Sequence, residues 1–532
     1  MPNNSGWQRI AVLLMVLCIA LGALAFRMKQ LDLRPFHLDE GVQAVKTGEL
    51  YDSGHYRYDP AEFHGPSLYY LTVPFLKLSG ATSFAETHDE DFRQVPVYCG
   101  VAIILALLLL RSDLGGIATL TAACLIAVSP AMVFYSRYYI QEMLLVLFAA
   151  LALGALWRYD CTRSKRWAAL FGLAIGLMYA TKETSVIFCG GMAVAYGVMI
   201  LRRRFQAGRS LWEIPCLLGN LWLVIGIAAL VAGLFFTSFL DHPRGLLDSV
   251  LAYRQYLVRS GGDGSAALHQ QPWYYYLKLL AYTKDAAGPW WSEGLILALA
   301  AVGLTASLRQ RLPAAIHPDL ALFLAIYALL MTVAFAMIPY KTPWNLLGFH
   351  HGLILLAGIG AAAVVNWFPK WPWKLACGLL LAAGIGQLAA QSGRTNFRFC
   401  ADPRNPYVYA HSVPDVVRLA QRIDEVSALT PEGRTLRIHF ITADYWPMPY
   451  YLRAFNQIGY WEKIPASPDA PILVVNADLQ EQLDPLLRDS YHTAFYGLRR
   501  DVLLVLYIRQ DLWDRYLEMK NGRSEISPGN SK

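Results

Sequence analysis

Apolar runs close to the length of a membrane span recur from Ala11 to Ala390, and this recurrence constrains the fold more than any other feature. A helix rising 1.5 Å per residue needs about 20 apolar residues to cross a hydrocarbon core of roughly 30 Å. Backbone amides inside that core must be satisfied within their own segment, so repeated runs imply a helical bundle. Of the 532 residues, 55% are hydrophobic and only 16% charged, which excludes an ordinary soluble globular chain. The sequence predicts a polytopic α-helical membrane protein.

Spans are expected near 10–26, 95–110, 116–135, 140–157, 167–180 and 185–201, then near 217–236, 292–308, 319–338, 346–367 and 374–390, roughly eleven in all. Arg9 and Ala23-Leu24-Ala25 give the first run some likeness to a signal peptide, but the spans that follow favour a retained helix. Alternate loops carry the basic residues: Arg158, Arg163, Lys165 and Arg166; Arg202, Arg203, Arg204 and Arg209; Arg309 and Arg311; Lys370 and Lys374. The positive-inside rule places these loops in the cytoplasm. An odd span count then puts the N-terminus inside and the chain after Ala390 outside. The net charge of +7 is accounted for by these loops, so nucleic acid is not an expected partner.

Outside the membrane the sequence predicts two large loops, 27–93 and 237–291, the latter with a flexible tip at Gly261–Ser265. Ser67–Leu78 reads as an amphipathic stretch able to lie on the membrane. From 391 to 520 the composition becomes that of a soluble domain. Helices are expected at 414–429, 449–455 and 479–489, and strands at 435–441, 472–475 and 502–508, a pattern for a small α/β domain. Residues 521–532 read as a disordered tail. No glycine-rich phosphate loop or nucleophile elbow occurs in this region.

Ionisable residues gather on the predicted outer face. His37, Asp39 and Glu40 follow the first span; Arg137 and Glu142 flank the turn after the third; Lys182 and Glu183 join two later spans; Lys341 and Trp344 join two more. Any one of them fits snorkelling or helix capping. Together on one face, they fit a site for a lipid phosphate, because ionisable groups at membrane level are mostly functional. A carboxylate there would deprotonate an acceptor hydroxyl while cations neutralise the departing phosphate. Arg137, Lys182 and Lys341 are the expected phosphate ligands. A divalent cation, magnesium or manganese, held by carboxylates and His37, would share that work. His55, Asp59, Glu62 and His64 are an alternative metal cluster, against the plainer reading of surface histidines.

The topology, the Asp39–Glu40 pair in the first outer loop and an acid after the third span resemble the GT-C superfamily of polyprenyl-phosphate-sugar glycosyltransferases. That superfamily includes the protein O-mannosyltransferases and the aminoarabinose transferases of lipid A. More narrowly, His37-Leu-Asp-Glu40, His64-Gly-Pro66, Ser136-Arg137 with Glu142, Thr181-Lys-Glu183 and Tyr340-Lys-Thr-Pro-Trp344 are similar to the family named for archaeal flippase-associated proteins. Asn405-Pro-Tyr-Val-Tyr409 and Trp446-Pro-Met-Pro-Tyr-Tyr-Leu-Arg453 extend the likeness into the outer domain. The resemblance implies that Asp39 is the catalytic carboxylate with Glu40 beside it. It also implies that Glu142 takes the place of the second acid, often Asp elsewhere in the superfamily, and Asp39 and Glu142 are the candidate metal ligands. His37, His64 and Trp344 join the expected substrate-binding residues.

Two functions compete at this stage. One is an inverting transferase moving a sugar from a polyprenyl-phosphate donor to a lipid, glycan or protein acceptor on the non-cytoplasmic face. The other is a non-catalytic binder that assists the flipping of lipid-linked sugars. A base at Asp39 favours the first, since an anion binder is better without it. Alternating-access transport lacks the expected internal repeat.

Overall fold

The computed structural model describes residues 6–60, 64–208, 219–260, 269–285 and 287–525. Glu62, Arg209, the Gly261–Ser265 tip and residues 526–532 lie outside them. The chain divides into two compact units. The first comprises Met1–Leu31, Ser53–Ser79 and Glu90–Tyr409; the second comprises Asp32–Asp52, Gly80–Asp89 and Ala410–Lys532.

The first unit is the helical membrane domain. Among the described residues, seven helices are long and apolar enough to span a membrane, or eight if one bent pair counts as a single span. The described parts of the expected spans are mostly helical, but the count of eleven is not reached: Lys165–Tyr179, Leu221–Phe236 and Gly294–Leu308, at 15, 16 and 15 residues, are shorter than a full crossing usually requires. The run expected at 116–135 is broken. Gly116–Val128 ends at Ser129 and Pro130–Ser136 resumes at a 56° angle. Pro130 occupies the first turn, where its missing N–H costs nothing, and Ser129 caps the new helix by accepting the Met132 amide at 3.2 Å.

Close helix packing depends on small residues at particular crossings. A Cβ at Gly303 would stand 2.0 Å from the Leu356 carbonyl oxygen, and one at Gly360 would stand 1.9 Å from that of Leu299. These two positions let Gly294–Leu308 lie backbone to backbone with Leu347–Trp367. Ser67–Ser79 forms the expected helix, with Leu68, Tyr69, Thr72 and Leu76 buried in this unit.

The second unit is built on a five-stranded sheet. A separate two-stranded ribbon, β1 (Thr283–Lys284) with β2 (Trp290–Trp291), belongs to the first unit. The sheet comprises β3 (Ile438–Ile441), β4 (Ile458–Trp461), β5 (Ile472–Asn476), β6 (Tyr491–Arg499) and β7 (Val502–Arg509), in the order β4-β3-β5-β7-β6. β3 runs parallel to both neighbours, whereas β7 is antiparallel to β5 and β6. The central strands are buried on both faces, which is why they read as largely apolar runs, interrupted in β3 by His439. One face packs Ile438, Phe440, Ile472 and Val474 with Val416, Leu419 and Ile423 of helix Asp415–Ser427; the other packs Ile441, Leu473 and Val475 with Leu483.

The soluble unit thus begins near Ala410 rather than 391, because helix Trp371–Gly393 continues as a π-type turn to Arg398. β4 and β6 were not expected, and the helix expected over 479–489 is instead three short turns. Helix Gln510–Glu525 carries order past the expected boundary at Lys520.

Candidate functional site

The expected outer loop 27–93 is divided between the units, and Asp39 stands on the second. His37, Asp39 and Glu40 open helix Leu38–Ser53. The His37 Nδ1 accepts the Asp39 amide at 3.0 Å, and the Glu40 carboxylate reaches back to accept the His37 amide at 3.1 Å. That reciprocal pattern is a capping box with histidine in the place of serine or threonine. Glu40 is fully buried and also lies 3.6 Å from the Arg34 guanidinium. Its carboxylate, expected to be catalytic beside Asp39, is engaged by the helix cap and by Arg34.

Asp39 differs sharply from its neighbour. Its side chain is 35% exposed, and its nearest ionic neighbour among the described residues is His37 Nδ1 at 3.9 Å. That nitrogen already accepts the Asp39 amide, so it has no proton to offer the carboxylate.

The segment is held by the sheet unit. The Phe36 ring stacks on Tyr450 at 4.3 Å, its amide donates to the Tyr451 hydroxyl at 2.7 Å, and the His37 ring lies 4.9 Å from His411. Helix Leu38–Ser53 passes so close to Trp446 and Pro447 that a Cβ on Gly41 would meet the Pro447 Cβ at 2.6 Å. Arg453 donates to the carbonyls of Phe84 and Tyr450 at 3.0 and 2.8 Å. The Trp446–Arg453 motif, expected to cover a site or choose an acceptor, packs as the support of Asp39.

In the first unit, Glu142 opens helix Glu142–Thr162 and pairs with the Lys182 ammonium. Both side chains are more than nine-tenths buried, and Asn345 Oδ1 stands 3.3 Å from the same ammonium. Glu142, Lys182, Trp344 and Asn345 line a narrow cleft of about 10 Å³, room for a single water. Three turns far apart in sequence, 137–142, 181–184 and 340–345, are thereby brought to one place.

His64 meets the next residue of the same turn. Its Nδ1 lies 2.8 Å from the Glu183 carboxylate, and Ser67 Oγ lies 2.7 Å from Thr181 Oγ1. Gly65 permits this approach, since a Cβ there would come within 2.2 Å of the Ala180 carbonyl oxygen. Burial would raise the Glu183 pKa, but the charge and hydrogen bond of His64, helped by Lys182, outweigh it and hold the carboxyl below its usual range.

The remaining expected ligands are occupied by backbone carbonyls. Arg137 donates to Arg27, Lys29 and Gln30 at 2.8, 2.6 and 2.7 Å, so its guanidinium caps the end of helix Gly6–Met28 where phosphate ligation was expected. Lys341 is buried, with its ammonium on the carbonyls of Ile338 and Gln271, and burial lowers its pKa. Trp344 packs by its ring against Tyr138 at 5.8 Å and Tyr409 at 5.9 Å.

The expected metal finds a poor donor set. Among the described residues, no three His, Cys, Asp or Glu side chains stand together in a way that could hold an ion. His55 pairs with Asp241 at 3.0 Å and His64 with Glu183, so these two histidines have separate partners. At Glu142 the cationic partner is already the Lys182 ammonium, and the residues there do not fit a divalent ion.

One network was missed by sequence reasoning. Glu293, 1% exposed, accepts from Ser129 Oγ at 2.5 Å, the Tyr407 hydroxyl at 2.6 Å and the Ala131 amide at 2.9 Å, and lies 3.0 Å from His350 Nε2. It anchors the N-terminus of the bent helix Pro130–Ser136, and thus the turn leading to Glu142.

Comparison with known proteins adds the fold. A family model for dolichyl-phosphate-mannose-protein mannosyltransferases matches residues 64–231. ArnT from Cupriavidus metallidurans bound to undecaprenyl phosphate superimposes with a TM-score of 0.64 at 16% identity, over 96% of this chain and 99% of that one. The archaeal oligosaccharyltransferase AglB from Archaeoglobus fulgidus, in complex with an inhibitory peptide and a dolichol-phosphate, superimposes with a TM-score of 0.55 at 14% identity, over 96% of this chain and 77% of that one. No curated protein sequence matches the chain.

Proposed function

The chain has the GT-C glycosyltransferase fold, and from that premise we propose that it moves a sugar from a polyprenyl-phosphate donor to an acceptor on the non-cytoplasmic face, with Asp39 as the base. The observation that carries this reading is the contrast at the head of helix Leu38–Ser53. Glu40 is spent on the cap, whereas the Asp39 carboxylate is half-exposed and held by no hydrogen bond among the described residues. Neighbours of this fold bind polyprenyl phosphates: undecaprenyl phosphate in ArnT and a dolichol-phosphate in AglB.

The chemistry balances with this chain's own groups. Asp39 takes the proton of the acceptor hydroxyl as its oxygen attacks the anomeric carbon. The bond from that carbon to the phosphate oxygen breaks, the configuration inverts, and the polyprenyl phosphate departs with the electron pair. Lys182 supplies positive charge for the phosphate, and the Glu142 carboxylate orients the ammonium. His64 and Glu183 brace the same turn. No step passes through a metal.

Purified full-length protein in lipid, offered radiolabelled polyprenyl-phosphate sugars and a panel of lipid, glycan and peptide acceptors, tests the proposal. Labelled product should form with EDTA present as without it. Donor binding with no product across the panel would favour the accessory reading, and loss of product in EDTA would show that the ammonium does not replace a metal.

A further inference from the structure

A second cavity lies at the other end of the first unit. Arg158 lines it, and Arg158 is on the same helix as Glu142, Glu142–Thr162, sixteen residues further on. At 1.5 Å per residue the two are roughly 24 Å apart along the axis, most of the thickness of a hydrocarbon core. The cavity has a volume of about 880 Å³, the size of a small-molecule site. It opens among the ends of helices Gly6–Met28, Gly116–Val128, Glu142–Thr162 and Lys165–Tyr179, the end of the bundle that bears the basic loops.

Its lining is divided by chemistry. Arg9, Arg111 and Arg158 supply guanidinium groups, and Ser112 a hydroxyl. Val12, Met15, Leu108 and Ile117 make an apolar wall. Among the described residues none of these arginines pairs with a carboxylate. The Arg111 Nη1 is buried with no hydrogen-bond partner among them, an arrangement that costs free energy unless an anion supplies the missing acceptor. Arg158 is held in place, donating to Ser112 Oγ at 3.3 Å and lying over the Trp167 ring at 5.6 Å. Asp113, the nearest carboxylate in sequence, is turned to the Trp157 indole N–H at 3.1 Å and the Ser112 hydroxyl at 2.8 Å.

We propose that this cavity binds an anionic phospholipid, its phosphate on Arg111 and Arg158 and the start of an acyl chain along the apolar wall. Loop arginines alone would attract an anionic leaflet diffusely. The cavity differs because it pairs the buried, unsatisfied Nη1 of a partly buried Arg111 with a hydrophobic slot, and neither inorganic phosphate nor a neutral lipid satisfies both.

Native mass spectrometry of the purified full-length protein tests this, titrating phosphatidylglycerol against phosphatidylcholine of the same chains, with inorganic phosphate as a third arm. Phosphatidylglycerol should bind at least about tenfold more tightly than phosphatidylcholine, and millimolar inorganic phosphate should not displace it. Arg111→Gln and Arg158→Gln should each weaken phosphatidylglycerol by roughly tenfold. Lys165→Gln removes one charge from the same end without touching the cavity and should change little. Equal affinities of the two lipids for the unmodified protein would overturn the proposal, whatever the variants do. So would displacement by inorganic phosphate, or a loss at Lys165→Gln matching that at Arg111→Gln.

Discussion

Replacing Glu142 by glutamine should weaken the protein and strengthen its hold on donor phosphate. The Glu142 and Lys182 side chains are 7% and 8% exposed, so each charge is compensated by its partner rather than by water. Removing one partner of such a pair costs about 3–5 kcal/mol. Asn345 Oδ1 remains 3.3 Å from the ammonium, which places the expected cost near the lower end, about 3 kcal/mol. A bound phosphate restores the missing anion. With a charged hydrogen bond worth about 1.5–3 kcal/mol, the dissociation constant should fall by roughly 10- to 100-fold. Lys182→Ala should do the opposite, leaving a buried carboxylate to repel the phosphate and raising the constant at least about tenfold. Scintillation-proximity titration with radiolabelled polyprenyl phosphate reads both, with thermal melting as the check on folding. If both variants melt cooperatively and shift affinity in the same direction, or not at all, the pair does not handle phosphate.

Three shorter predictions accompany this one. Glu183 has its carboxyl held below the usual 4.5, so its pairing with His64 stabilises the fold fully above that value and the contribution is lost as pH falls through the lower folded value; His64→Gln should flatten the acid limb of the melting-temperature profile below pH 4.5. Glu293→Gln replaces a fully engaged acceptor with a group that must point an N–H at another donor, so stability should drop by about 3–5 kcal/mol with a matching fall in melting temperature. Single-cysteine variants at Ser53 and Ser490, in a cysteine-free background, should both react with an impermeant thiol reagent in intact cells, as the loop charges require; protection of either would reverse the orientation.

Much of the architecture was legible because it follows from solvent. The apolar runs, the basic loops between them and the shift to soluble composition are long-window signals that lipid and water impose. Short-window features were less visible. β4, over Ile458–Trp461, is a four-residue parallel edge strand containing Gly459, too short for a period to register. β6 is half-exposed along most of its length, and its mixed polar character hides it among the flanking turns. The helix expected at 479–489 is interrupted by Pro485, which the apolar spacing around it concealed.

The candidate site was legible as a set of residues and not as a set of partnerships. Asp39, Glu142 and Lys182 stood out because ionisable groups at membrane level are costly. That Lys182 pairs with Glu142, forty residues away, is a fact of helix packing which no local pattern carries. Arg137 and Lys341 stood out for the same reason, yet their charges are taken up by backbone carbonyls. Glu293 and His350 left no signal, being single polar residues at or within apolar helices. Glu40 had one: His37 and Glu40 are spaced as a capping box, with an uncommon cap residue.

The most direct test of the account is the rate of sugar transfer by Asp39→Asn in lipid, beside donor binding on the same preparation. Asparagine keeps the size and hydrogen-bonding reach of the side chain and removes its charge and proton affinity. The account predicts transfer lower by about 10²- to 10⁴-fold, the range for losing a general base, with donor affinity unchanged or slightly improved. Transfer at the unmodified rate would contradict it and leave the chain a binder of lipid-linked sugars.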